Sequence, residues 1–127
     1  MSERNSRIYS LAENLYSEGA PVVIKAGALL KDNDNGGILA QLKINNIINK
    51  EIKLVKVAIT YQDSLERPLG ELLYEYIDLS VTRGVDFGAK NPIRIPDSTT
   101  RAFSVRVAEV GFSDNSFWED KNFVWES

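Results

Sequence analysis

The chain has no histidine and no cysteine among its 127 residues. Without imidazole, no side chain titrates near neutrality unless its surroundings shift it strongly. Without thiolate there is no soft metal ligand, no cysteine nucleophile and no disulfide. Long apolar runs are also missing: none approaches the ~20 residues that a membrane helix needs. Basic charge is scarce and scattered, with 15 Lys and Arg against 18 Asp and Glu and a net charge of −3. No basic stripe is offered to nucleic acid. The start, Met1 to Arg7, is polar and has neither the apolar centre nor the small-residue cleavage site of a signal peptide. These absences lead us to expect a cytoplasmic protein that meets neither membrane nor nucleic acid and holds no metal or other cofactor.

What the chain does contain is alternation. From Ile8 to Tyr16 the apolar residues Ile8, Leu11, Ala12, Leu15 and Tyr16 recur at helical spacing. Asn5 or Ser6 stands where an N-cap belongs, and Gly19 where a C-cap does. This spacing predicts a short helix within residues 1–20, packed on a β-sandwich formed by residues 21–127. Beyond Pro21 the period changes to two. Strands are expected over Val22 to Leu30 and Ile38 to Ile44, joined by the polar turn Lys31 to Gly37, and over Ile52 to Tyr61 and Leu72 to Leu79. A short extended piece at Ile93 to Ile95, a strand from Phe103 to Phe112 and a last strand beginning at Ser116 complete the set. Leu54 breaks the parity of Val55, Val57, Ile59 and Tyr61, and Glu109 falls on the apolar parity of Phe103, Val105 and Val107. The first break predicts a β-bulge or a strand entry near Leu54 and Val55, and the second a β-bulge at Glu109. About seven strands without intervening helices predict an all-β, antiparallel sandwich.

Two groups of segments resemble known proteins. Ile38-Leu-Ala-Gln-Leu-Lys-Ile-Asn-Asn46, the strand to Tyr61 and the Pro68-Leu-Gly70 turn resemble immunoglobulin-like bacterial sandwiches, as does the closing hairpin Val110 to Trp118. Tyr9-Ser-Leu-Ala-Glu13, Ala26-Gly-Ala-Leu-Leu-Lys31 and Arg101-Ala-Phe103 resemble the N-terminal β domain of uncharacterised bacterial proteins that carry a zinc ribbon further along. The resemblance implies an immunoglobulin-like fold and brings no catalytic residues with it. The ribbon cysteines of those proteins have no counterpart in this chain. The apolar segment Phe123-Val-Trp125, close to Ser127, leads us to expect that the native chain continues.

Few residues offer chemistry. Asp32-Asn-Asp-Asn-Gly-Gly37 has the composition of a calcium loop but not its spacing, because the fifth and twelfth positions are Gly36 and Lys43 where oxygen ligands are required. An Asx-rich turn is the expectation. Ser64, Ser80, Ser98, Ser104 and Ser113 have no histidine partner and no nucleophile elbow, and no phosphate-loop motif is present. Carboxylates are the remaining acid–base groups: Glu66, Glu71, Glu75 and Asp78 cluster in sequence, and Glu109 is set apart by its parity. Aromatic residues carry more weight. Phe117, Trp118, Phe123 and Trp125 crowd into nine residues, near Phe112, and form a candidate interaction edge. The expected function is a non-catalytic module that binds a protein partner or another copy of itself. The alternatives are a small carboxylate-dependent hydrolase and a carbohydrate-binding module.

Overall fold

A computed structural model describes residues 5–11, 15, 16 and 19–121. Among the described residues nine strands make two antiparallel sheets: β1 (Asn5–Ser10), β2 (Val22–Asp32), β3 (Ile38–Asn46), β4 (Ile52–Gln62), β5 (Pro68–Tyr76), β6 (Asp86–Phe87), β7 (Ile93–Ile95), β8 (Ala102–Phe112) and β9 (Phe117–Glu119). The first sheet runs β1-β2-β3, with β6 and β7 both paired to the far side of β3. The second runs β5-β4-β8-β9. The architecture is therefore all-β, as the alternation predicts.

The inner faces follow period 2. Val22, Ile24, Leu29, Ile38, Ala40, Leu42 and Ile44 from the first sheet pack against Ile52, Val55, Val57, Ile59, Phe103, Val107, Val110 and Phe112 from the second, all of them buried. Both predicted bulges are present within a residue of their expected places. On β4, Lys53 is the extra residue between Ile52 and Leu54. On β8, Ala108 is the extra residue, since Lys56 faces Glu109 while Val57 faces Val107. The Ala108 bulge resets the parity, so that Val107 and Val110 both point inward and Glu109 turns to the outer face.

The predicted N-terminal helix is corrected where the structure describes it. Asn5–Ser10 is a strand that pairs with β2, with a register shift between Arg7 and Tyr9. The Leu11 amide donates to the Gly27 carbonyl at 2.8 Å, and Leu15 exchanges both backbone hydrogen bonds with Ile24. Residues 12–14 lie outside the described residues. The physical reason is competition: an isolated helix this short is marginal in water, whereas the 11-residue edge of β2 offers a row of unmet donors and acceptors. In the extended form Ile8, Tyr9, Leu11 and Leu15 still reach the core, and the Tyr9 ring meets Phe103 edge-on with centroids 5.7 Å apart.

Asn46 is a polar side chain that closes one end of this core. Fully buried, it donates through Nδ2 to the carbonyls of Lys50 at 2.8 Å and Val81 at 3.0 Å, and its Oδ1 accepts from the Ile48 amide at 3.0 Å. It thereby ties the β3–β4 connection to the loop before β6.

Candidate functional site

The outer face of the second sheet brings together Glu71, Glu75, Glu109 and Phe117 from among the residues singled out in the sequence. Its side chains stand in cross-strand rows set by the register. In one row Glu75, Lys56, Glu109 and Glu119 come from β5, β4, β8 and β9 in turn. The Lys56 Nζ lies 3.6 Å from Glu109 and 3.8 Å from Glu75. Two carboxylates thus share one ammonium, and Glu119 stands directly opposite the like-charged Glu109, an unfavourable pairing. This row borders a shallow hollow of ≈ 220 Å³ over the Ala108 bulge, also lined by Leu73, Asp120 and Lys121. The Arg106 guanidinium ion-pairs with Asp120.

The adjacent row is apolar: Leu54 faces Gly111, and Gly111 faces Phe117. Ile77, one residue past β5, extends the row by alternation, and the chain still runs beside β4 there, with the Leu79 amide donating to the Lys53 carbonyl at 3.0 Å. Phe117 is 64% exposed and Ile77 57%. Because Gly111 has no side chain, the floor between Leu54 and Phe117 is low. An apolar row thus lies against an acidic one. On the other side of the acidic row, Leu73 (43% exposed), Ala58 and Arg106 align, followed by Glu71, Thr60 and Ser104.

The aromatic edge expected from the sequence is divided by this geometry. Phe117 projects outward, whereas Trp118 faces Val110 and packs against the core. Phe112 is buried. Phe123 and Trp125 lie outside the described residues. Of the carboxylates, Glu71, Glu75 and Glu109 reach the outer face, while Glu66 and Asp78 sit at turns in left-handed backbone, φ 61° and 54°. In the Asp32–Gly37 turn, Asp32 accepts from the Asp34 amide at 2.8 Å and Asn35 from the Gly37 amide at 2.7 Å, while Asn33 accepts from the Ser6 hydroxyl at 3.0 Å.

A second polar cluster, with no signal in the sequence, clasps one end of the sandwich. Glu51 accepts from the Ser113 hydroxyl at 2.6 Å and the Ser80 hydroxyl at 2.8 Å, and these bonds hold its carboxyl below the usual range. Beside it, Lys50 Nζ lies 3.2 Å from Asp114 and 4.8 Å above the Phe112 ring. Hydrogen bonds from Ser116, with help from Lys50, lower Asp114 to about 2. Three segments far apart in sequence are joined here, which makes the cluster a structural clasp.

The opposite outer face differs in sign. On the first sheet Lys25 and Lys43 flank Asp86 at 3.6 Å and 3.5 Å, while Arg7 and Arg94 stand in a separate cross-strand row with Leu30 and Leu39. The Asp86 carboxyl is held below the usual range chiefly by the Asn45 amide, at 2.6 Å, and then by the two lysines. No protein family, curated protein or solved structure matches this chain.

Proposed function

We propose that the chain is a non-catalytic β-sandwich module that binds another protein through the outer face of its second sheet. The observation that carries this reading is Phe117: a large aromatic ring, 64% exposed, in register with Leu54 across Gly111 and beside a row with excess negative charge. An exposed apolar strip with a charged border is the usual form of a recognition surface. Hydrolysis by Glu109 has less in its favour, because that carboxylate is ion-paired to Lys56 and its neighbour Glu119 lies on the open face, where water is not excluded.

The sandwich is further read as immunoglobulin-like, in keeping with the resemblance to N-terminal domains of bacterial zinc-ribbon proteins. Strand order supports this. β2-β3-β7 and β5-β4-β8-β9 follow the A-B-E and C′-C-F-G orders of immunoglobulin-type sheets. In that family of folds the sheets are a scaffold and the exposed faces and loops do the binding.

The test is the double variant Leu54→Ala/Phe117→Ala. It is expected to keep the fold, read as an unchanged near-UV dichroism spectrum, and to retain at least tenfold less of the partner isolated from the native host on the wild-type protein. Equal retention by wild type and variant would overturn the reading.

A further inference from the structure

We propose that β5 is an acceptor edge for an extended, basic segment of another protein, which adds to the second sheet as a fifth strand. This deepens the binding function proposed above by naming the chemistry of the partner, and rests on it. β5 ends the order β5-β4-β8-β9, and among the described residues nothing pairs with its outer side. Nine residues long, it presents backbone donors and acceptors that only another strand satisfies in full. The other end of this sheet, β9, is three residues.

The side chains say which strand. On the outer face Glu71, Leu73 and Glu75 are exposed in alternation, with the exposed Ile77 following. On the inner face Leu72 and Tyr74 are only partly covered where the core reaches the edge. An incoming antiparallel strand therefore meets acid, apolar, acid, apolar on one face and an unfinished core on the other. Opposite-charge and apolar cross-strand pairs are favourable, like charges are not. The complementary segment carries Lys or Arg opposite Glu71 and Glu75, an apolar residue opposite Leu73, and small apolar or β-branched residues toward the core.

The same pattern argues against a second copy as the occupant. If two β5 strands pair about a two-fold at Leu73, Glu71 of each meets Glu75 of the other. Sliding either way by two residues sets Glu71 against Leu73, or Glu75 against Leu73. No in-face register matches acid with base, so self-pairing is disfavoured and a basic strand is selected.

The experiment uses the full chain and two synthetic peptides, Leu-Thr-Lys-Val-Leu-Val-Lys-Thr-Leu and the same sequence with Glu for both Lys. Titration followed by amide NMR is expected to show the Lys peptide binding, with shifts along β5, and the Glu peptide at least tenfold weaker. The variant Glu71→Lys/Glu75→Lys should reverse this preference, and an equimolar mixture of variant and wild type should form a heterodimer in sedimentation velocity while each alone stays monomeric. Should the variant fail to fold, the two peptides on wild type still decide the matter. Equal binding of both peptides, binding of neither, shifts away from β5, or a wild-type homodimer closed through β5 would overturn the proposal. None of these outcomes depends on Phe117, so the two ideas fail separately.

Discussion

Phe117 and Trp118 are neighbours in sequence and stand on opposite faces of one strand: Trp118 is aligned with the buried Val110 and closes the core, while Phe117 is aligned with Gly111 and lies in solvent. An aromatic pair in a short edge strand thus has one member for stability and one for the surface. The two are separable by mutation. Trp118→Ala is expected to cost about 2–3 kcal/mol, less than for a fully buried Trp. Phe117→Ala should stay within about 0.5 kcal/mol. Urea midpoints at constant slope measure both.

Lys56 is the charge on which the acidic row depends. Lys56→Gln removes the ammonium shared by Glu75 and Glu109 and leaves three carboxylates aligned. With these side chains partly solvated, the loss should be about 0.5–1 kcal/mol. Adding Glu109→Gln should recover part of it, and the loss should shrink in 1 M salt, where screening is strong. A double-mutant cycle at two ionic strengths reads the coupling directly.

Asn46 makes three hydrogen bonds from a site with no solvent. Asn46→Ala strands the Lys50 carbonyl and the Ile48 amide, leaves the Val81 carbonyl with the Ile52 amide as its donor, and is expected to cost about 2–3 kcal/mol. The loss should appear in hydrogen exchange as faster opening of the β3–β4 connection and of residues 81–85 together.

Acid should unfold the chain through its depressed carboxylates. Glu51, Asp63, Asp86, Asp97 and Asp114 all titrate below their ordinary values in the folded state. The unfolded chain therefore binds these protons first, so their stabilising contribution is complete above pH ~4.5 and is lost as pH falls. For Asp114 the window runs from its ordinary value of 3.8 down to about 2. The urea midpoint should be flat between pH 6 and 8, where no histidine titrates, and fall below pH 4.5. Asp114→Asn should show a shallower fall at the acid end.

Much of the fold was legible because each sheet has one buried face, which writes period 2 into β2, β3, β4 and β8. Even the bulges were readable, since Leu54 and Glu109 each sit one step out of phase. The N-terminal segment was misread because Ile8, Leu11 and Leu15 satisfy a helical period equally well. The deciding factor, the open edge of β2, lies 20 residues away in the chain. The two-residue β6 has no pattern long enough to show. Of the site, composition alone grouped Phe117 with Trp118, and their separation onto opposite faces follows from the pairing of β9 with β8. The alignment of Leu54 with Phe117, and of Lys56 between Glu75 and Glu109, depends on registers across three strands that no local spacing records.

The most direct test of the central claim is site-specific photocrosslinking in the native host, with benzoylphenylalanine at position 117 and, separately, at position 94 on the opposite sheet. The account predicts a discrete protein adduct from position 117, identifiable by mass spectrometry, and little or none from position 94. An adduct confined to position 94, or the same faint background from both, would contradict it.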